Sequence, residues 1–260
     1  MKTVISKDGT PIAYWASGSG PALVLVHGMG SERTRWAPVL PELERHFTVY
    51  ALNRRGRGGS GDGGPYSLEQ EFDDVAALVD SIGAPVFLLG HSYGAIVSLE
   101  AAARAKSVAA LVLYEPPLST ETDPFVEPSV LGRLEGLLAR GDREALMVTF
   151  LREVVPMPAE EVALLQAAPN WPSRLATAHT IPREQRATNA YRLKAADFAN
   201  FRVPTLLLLG GESSAFFRLA IDVVKAALPG AKVLELPGQK HVAMNTAPAM
   251  FVQVLVDFFR

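Results

Sequence analysis

Ser92 is the central residue of Gly90-His-Ser-Tyr-Gly94, where glycines stand two residues before and two residues after a serine. The apolar run 86–89 precedes this pentad, and a helix-like run starts at Tyr93 without an intervening loop. Gly-x-Ser-x-Gly between a buried strand and a helix is typical of a nucleophile elbow, which holds the serine hydroxyl clear of the sheet. The helix N-terminus then favours developing negative charge. The pattern therefore predicts that Ser92 is a nucleophile.

A serine hydroxyl becomes a good nucleophile only when a neighbouring base takes its proton. His241 is the best candidate for that base, because it follows the last predicted strand in a loop at the carboxyl edge of the sheet. Ser92 is predicted at the same edge. The remaining histidines are assigned to structural or substrate-facing positions: His27, His46, His91 and His179.

Strand and helix patterns alternate along most of the chain, which predicts a mostly parallel sheet with right-handed crossovers. An Asp8-Gly9 turn signal indicates an opening hairpin. The predicted strands cover residues 3–6, 12–16, 22–26, 47–52, 86–89, 109–114, 204–209 and 231–236. The predicted helices outside the central region cover residues 34–46, 67–81, 93–105, 216–227 and the C-terminal segment from 248.

The region from residue 118 to residue 200 differs, because it is rich in helix formers and prolines and has no convincing strand. Its predicted helices cover residues 128–139, 142–154, 158–167 and 183–195. We therefore expect one α/β core domain, made of residues 1–117 and 201–260, with residues 118–200 inserted as a helical cap.

Taken together, these motifs resemble an α/β-hydrolase of the serine type over nearly the whole chain. The resemblance includes the hairpin, His27-Gly28, the loop 53–60, the Ser92 pentad, the insertion and the loop 238–241. It implies a doubly wound, eight-stranded sheet with the cap after the sixth strand, and a triad in the order nucleophile, acid, histidine. It also implies an oxyanion hole formed by the backbone N–H groups of Met29 and Tyr93, whose side chains would line the pocket.

The acid departs from the common family pattern. Many relatives carry an aspartate after the seventh strand, but here that segment reads Leu-Gly-Gly-Glu-Ser-Ser-Ala over 209–215, with Ser214 at the aspartate position. Glu115 ends the sixth predicted strand, where certain dehalogenases and lipases of the family carry their acid. We expect Glu115 to orient His241, with Glu212, or no carboxylate at all, as the alternatives.

The loop 53–60 resembles the family's Asp-x-Arg-Gly-x-Gly-x-Ser signature and is expected to be scaffold. Its arginines, Arg54, Arg55 and Arg57, are expected to be solvated or internally paired, with Arg55 anchored by hydrogen bonds. The nearby Asp73 and Asp74 are expected on the solvent face of their helix.

Composition excludes several classes of protein and site. The net charge of −2 argues against a nucleic-acid partner, and the lack of cysteine excludes disulfides and thiolate sites. The N-terminus has no signal-peptide core, and no apolar run approaches the ~20 residues that span a bilayer. We expect a cytoplasmic monomer or homodimer that acts on a small molecule without cofactor, metal or membrane.

The expected substrate is a small, mainly uncharged ester, lactone or thioester, hydrolysed through an acyl-enzyme on Ser92. The candidate pocket residues are His27, Gly28, Trp36, Trp171, His179 and Phe216. Three alternatives stay open: a carbon–carbon bond hydrolase, a lyase or cyclase that uses His241 without acylation, and a ligand receptor. The first is disfavoured because the oxyanion loop, residues 29–32, contains no basic group that could bind a carboxylate.

Overall fold

The computed structural model describes residues 1–119 and 124–260. The strands form one sheet in the order β1-β2-β4-β3-β5-β6-β7-β8. They are β1 (Lys2–Ile5), β2 (Pro11–Gly18), β3 (Ala22–Val26), β4 (Thr48–Leu52), β5 (Val86–His91), β6 (Val108–Tyr114), β7 (Thr205–Gly210) and β8 (Lys232–Leu236). The first hairpin and the β2–β4 pair are antiparallel, and all later pairs are parallel. The predicted eight-stranded, mostly parallel sheet is confirmed.

Alternate side chains of the central strands enter two hydrophobic layers, one on each face of the sheet. On β3, Leu23 and Leu25 belong to the layer that also contains the C-terminal helix, whereas Val24 and Val26 belong to the opposite layer. All five residues of this strand are buried. This double burial explains why the strand is an unbroken apolar run.

The helices outside the region between β6 and β7 cover the two faces of the sheet. They are α1 (Leu40–Leu43), α2 (Leu68–Ser81), α3 (Tyr93–Ala102), α9 (Ala215–Ala227), α10 (Ala243–Thr246) and α11 (Pro248–Phe259). A capping box forms at the start of α2 between Ser67 and Gln70. The single helix predicted over 34–46 is wrong: a 3₁₀ turn, Arg33–Trp36, and the short α1 replace it. Pro38 and Pro41 explain the break, because neither has an N–H to donate.

The helical insertion, meaning α4 to α8, lies between β6 and β7. Its helices are α4 (Pro128–Ala139), α5 (Arg143–Thr149), α6 (Ala159–Gln166), α7 (Trp171–Ala176) and α8 (Ile181–Ala190). The segment predicted as one helix over 142–154 ends in a π-helical turn, Phe150–Val154. The sequence did not predict α7. The predicted start of the cap at 118 runs into residues 120–123, which lie outside the described residues.

The topology brings the chemistry-bearing loops to one edge. The strands β5, β6, β7 and β8 are parallel neighbours, and His91 at the end of β5 pairs with Tyr114 at the end of β6. Ser92, Glu115 and the loop after β8 therefore share the carboxyl edge of the sheet, where open α/β folds bind ligands. In the two described ranges, no helix combines the length and hydropathy needed to cross a bilayer.

Candidate active site

Ser92 occupies a sharp turn between β5 and α3. Its φ of 56° lies in the left-handed region that side chains rarely adopt, and its N–H donates to the Tyr114 carbonyl at 2.8 Å. Both glycines of the pentad are sterically required. A β-carbon at Gly90 would lie 2.6 Å from the Ala95 α-carbon, and one at Gly94 would lie 2.6 Å from the His27 carbonyl oxygen. The turn therefore holds Ser92 at the start of α3, against the loop after β3.

That loop contains the residues predicted to form the oxyanion hole. A β-carbon at Gly28 would lie 3.0 Å from the Ser92 β-carbon, so the backbone passes directly beside the serine. Among the described residues, none accepts a hydrogen bond from the backbone N–H of Met29 or Tyr93. The described residues therefore leave unpaired the two donors expected for an oxyanion hole, and the Met29 side chain also lines the cavity.

His241 is held by Glu115. The Nδ1 atom of His241 lies 2.5 Å from Oε2 of Glu115, and Oε1 of the same carboxylate accepts a hydrogen bond from the Gly210 N–H at 2.7 Å. Glu115 is fully buried and has a φ of 48°, so its position depends on a strained backbone at the end of β6. Glu212 is exposed, and its N–H donates to the Gln239 carbonyl. The carboxylate that contacts His241 is thus Glu115.

Three further side chains fix the His241 loop, and sequence patterns had not singled them out for that role. The Tyr114 hydroxyl donates to the Lys240 carbonyl and accepts from the Ala243 N–H. The His91 imidazole lies 2.8 Å from the His241 carbonyl oxygen, and burial lowers its pKa well below the ordinary value, so a neutral ring donates there. Phe217 stacks on His241 with ring centroids 4.4 Å apart.

His27 supports the oxyanion loop from beneath. Its Nδ1 atom lies 2.8 Å from the Gly28 carbonyl oxygen, and its Nε2 accepts from the Arg54 N–H. Burial, followed by the nearby Arg54 charge, holds the pKa of His27 well below its usual range. The ring is therefore neutral, with its proton on Nδ1. His27 is completely buried and does not line the cavity, so its prediction as a pocket residue is wrong.

The arginines of the loop 53–60 are buried and paired. Arg54 donates to both carboxylate oxygens of Glu71, at 2.6 and 3.0 Å, and lies 2.9 Å from Glu184 on α8. Arg57 also pairs with Glu184. Arg54 further donates to the Gly28 carbonyl at 3.1 Å, so this network connects the helical insertion to the oxyanion loop. The sequence left these arginines as either solvated or internally paired, and for Arg54 and Arg57 the structure shows the internal pairing.

Arg55 forms a second buried ion pair, at 2.6 Å from Asp74 of α2. The placement of Asp74 on a solvent face is therefore wrong, because its side chain is almost completely buried. Burial raises the pKa of Asp74 to about 6, although Arg55 opposes that shift. The sequence could not distinguish these faces, since a charged residue on an amphipathic helix normally points to water.

Ser92 and His241 open into a cavity of about 930 Å³ between the sheet edge and the helical insertion. Much of its lining is apolar, including Phe125, Val130, Phe150, Leu151, Met157, Leu165, Phe216 and Phe217. Gly28 and Phe216 line it as predicted.

Four predicted pocket residues lie elsewhere, among them His27. Trp36 is fully buried beneath His91, in the layer on the opposite face of the sheet. Trp171 is buried in the insertion, where its indole N–H donates to Glu144. His179 lies outside the lining and contacts the Ala176 carbonyl. Tyr93 also turns away from the cavity, because its ring packs under Arg54.

Among the polar residues that line the cavity, the sequence did not single out Arg35, Arg174 or Gln185. Arg35 belongs to the 3₁₀ turn after the oxyanion loop, Arg174 to α7 and Gln185 to α8. No sequence motif connects these segments. In the described ranges, no cluster of histidine and carboxylate side chains has the geometry of a metal site.

Comparison with known proteins agrees with this fold. The alpha/beta hydrolase family profile matches residues 23–254. The crystal structure of an alpha/beta hydrolase from Sphaerobacter thermophilus is 41% identical, with full coverage of both chains and a TM-score of 0.87. The 2-(acetamidomethylene)succinate hydrolase of Mesorhizobium japonicum is 23% identical over 93% of this chain and 88% of its own. The N-formylmaleamate deformylase of Pseudomonas putida is 39% identical over 106 residues, 39% of this chain and 40% of its own. The protein belongs to the alpha/beta hydrolase family.

Proposed function

We propose that this protein is a serine hydrolase that cleaves a carboxylic acid derivative through an acyl-enzyme on Ser92. The observation that carries the proposal is the contact of His241 Nδ1 with Glu115, at 2.5 Å, at a cavity that His241 shares with Ser92 on its strained turn. With Nδ1 committed to Glu115, Nε2 is the nitrogen left to take the Ser92 proton. In this proposal Ser92, His241 and Glu115 take the roles of the nucleophile, base and acid of a serine triad.

In this mechanism the Ser92 oxygen attacks the substrate carbonyl while His241 takes the hydroxyl proton. The N–H groups of Met29 and Tyr93 stabilise the oxyanion, and His241 then gives its proton to the leaving group. Water, deprotonated by His241, attacks the acyl-enzyme and releases the acid. Glu115 stabilises the imidazolium and fixes its tautomer. Its burial, with the Gly210 N–H as a second partner, keeps the carboxylate in one orientation.

The scissile bond we favour is an ester, lactone or thioester in a mainly apolar acyl substrate, as the apolar lining suggests. An amide is the second candidate, because two relatives bear the names 2-(acetamidomethylene)succinate hydrolase and N-formylmaleamate deformylase. The same acyl-enzyme serves both bonds. Hydrolysis rates for p-nitrophenyl acetate and p-nitroacetanilide, which share the acetyl group, separate the two.

The test is burst-phase hydrolysis of short p-nitrophenyl esters by wild type, Ser92→Ala, Glu115→Gln and Glu212→Gln. We expect no turnover from Ser92→Ala and a loss in kcat of roughly 10³–10⁴ from Glu115→Gln, as for other triad acids. Glu212→Gln is the matched control, since it makes the same change at an exposed carboxylate that lines the cavity, and it should stay within a few-fold of wild type. A crippled Glu212→Gln with an active Glu115→Gln would contradict the assignment.

We propose that the helical insertion, predicted as a cap over residues 118–200, closes one side of this site. The cavity lining includes residues of α4, α6, α7 and α8, which supports a role in substrate selection. Limited proteolysis tests whether the insertion opens independently of the core. Cleavage within the insertion that becomes slower when Ser92 is acylated supports a gating role.

A further inference from the structure

Arg35 is a cation that lines the cavity and has no anionic partner among the described residues. It makes no ion pair or side-chain hydrogen bond there. Its charge lies close enough to His91 to contribute to lowering the pKa of that ring, which places it near the neighbour of Ser92. Burial, followed by repulsion from Arg174, lowers the pKa of Arg35 to about 10, so it remains charged at neutral pH.

Arg174 brings a second positive charge to the same region. The only partner of its guanidinium among the described residues is the Gly30 carbonyl, which accepts from Nη1 at 3.2 Å. Burial lowers the pKa of Arg174. Two guanidinium groups that repel each other in a partly desolvated cavity are costly, unless an anion is held between them for part of the protein's working cycle.

Gln185 is a neutral side chain that also lacks a hydrogen-bond partner among the described residues. It is completely buried, lines the cavity, and neither its amide nitrogen nor its amide oxygen has a partner among the described residues. Ile181, one helical turn earlier on α8, reaches the position beside Gly30. Gln185 is therefore on the face of α8 that approaches the oxyanion loop. An unpaired buried amide costs about 1–3 kcal/mol, which a bound polar ligand recovers.

The carboxylates that line the cavity do not neutralise these arginines. Glu127, Glu161 and Glu212 are exposed, and Glu153 pairs with Arg133. Within the described ranges, none forms an ion pair with Arg35 or Arg174. The remaining cation of the lining, Lys240, is exposed, so water solvates it.

We propose that Arg35 and Arg174 bind a carboxylate of the substrate and that Gln185 hydrogen-bonds the polar group next to it. This proposal rests on the proposed function and deepens it. The substrate is then an acyl compound that carries a free carboxylate, such as a half-ester or half-amide of a dicarboxylic acid. An apolar substrate with one charged end replaces the mainly uncharged one expected from the sequence. The sequence analysis did not identify Arg35 and Arg174 as carboxylate ligands because they lie beyond residues 29–32, on a 3₁₀ turn and on α7.

The first experiment measures binding without turnover, using calorimetry on the Ser92→Ala variant. Succinate should bind at least ten-fold more tightly than succinamide, which has the same shape without charge. Adding Arg35→Met or Arg174→Met should abolish that difference. Equal affinity for the two ligands, or no succinate binding, overturns the proposal.

The second experiment compares kcat/KM for monomethyl succinate with that for methyl butanoate. Wild type should favour the charged half-ester, and Arg35→Met should reduce the ratio about 100-fold, as expected for the loss of one partner of a buried charge pair. Arg35→Lys keeps the charge and should retain part of the preference. The matched control is Arg186→Met, which removes the same charge from the exposed side of α8. An unchanged ratio in Arg35→Met and Arg174→Met overturns the proposal.

These readouts separate failure of the inference from failure of the proposed function. A serine-directed fluorophosphonate and p-nitrophenyl acetate carry no carboxylate and report only on Ser92 chemistry. If Ser92 reacts with both while the carboxylate preference is absent, the inference is wrong and the hydrolase stands. Succinate binding without any reaction of Ser92 supports the anion site and contradicts the proposed mechanism.

Discussion

The protein contains two groups of arginines, one buried and one half-buried at the cavity, that are in opposite electrostatic states. Arg54, Arg55 and Arg57 are paired with Glu71, Asp74 and Glu184 in a network that connects the core to the helical insertion. Arg35 and Arg174 line the cavity and have no carboxylate partner among the described residues. Arginine thus stabilises the fold in the buried network, whereas in the cavity we propose that it binds an anionic ligand. The difference is the presence of a protein carboxylate at hydrogen-bond distance.

Breaking the paired group should have the largest effect. Arg54→Met leaves Glu71 and Glu184 buried with less compensation, and the free energy of unfolding should fall by about 3–5 kcal/mol. Urea unfolding measures this loss. Arg186→Met, on the exposed side of α8, should stay within about 0.5 kcal/mol of wild type. A similar small change in Arg54→Met would mean that the network does not stabilise the fold.

The Arg55–Asp74 pair should make stability depend on pH. Burial raises the pKa of Asp74 from 3.8 to about 6, so the native state holds a proton that the unfolded state has lost between these values. The contribution is therefore present at the acid end of this window and is lost as the pH rises through about 6. Unfolding of wild type and Asp74→Asn between pH 4 and pH 7 should diverge with that sign.

The neighbouring Asp73→Asn change is the control for this pH effect. Asp73 is partly exposed and lies 3.7 Å from Lys7, a weak surface pair. Its pH profile should run parallel to that of wild type. If the pH profile of Asp74→Asn is also parallel to that of wild type, the Arg55 charge lowers the pKa of Asp74 as much as burial raises it.

Removing an unpaired arginine should raise the free energy of unfolding, whereas Arg54→Met should lower it. Arg35→Met deletes a desolvated charge that also repels Arg174, and we expect the unliganded protein to gain about 1 kcal/mol in stability while losing carboxylate preference. Urea unfolding without added anions measures the gain. A loss as large as that of Arg54→Met would show that Arg35 is structurally paired and would erase the distinction between the two groups.

The smallest effect belongs to the partly exposed pair of Arg183 and Asp62, which also connects α8 to the core. Two hydrogen bonds, at 2.6 and 2.8 Å, join these side chains. Because water screens them, Asp62→Asn should cost only about 0.5 kcal/mol, and 1 M salt should remove most of that difference. A salt-independent loss would place this pair with the buried network.

Local sequence patterns were sufficient for the sheet and for much of the candidate triad. Continuous apolar runs predicted the parallel strands, since a strand covered on both faces excludes polar residues. The Ser92 turn could be read from its glycines, because only glycine allows the close backbone contacts at positions 90 and 94. Glu115 could be predicted as the acid because it follows the sixth predicted strand, at the carboxyl edge of the sheet. The loop after β8 pointed to His241 for a similar reason.

Other features depend on contacts between distant segments, which no local pattern encodes. Trp36 and Asp74 were misplaced because an amphipathic pattern shows that a face is buried, not against which layer or which partner. Tyr114 positions the His241 loop through a hydrogen bond to the carbonyl of Lys240, which lies 126 positions later in the chain.

The sequence by itself determined the eight strands of a mostly parallel sheet, the turn around Ser92 and the edge at which His241 and Glu115 were expected. These follow from backbone sterics and from the period of apolar residues, which act over a few neighbouring positions. Only the tertiary structure decided which arginines are neutralised. Whether a charge is stable in the interior depends on partners that folding brings from elsewhere in the chain. For Arg54 those partners come from α2 and α8, whereas for Arg35 the described residues supply none.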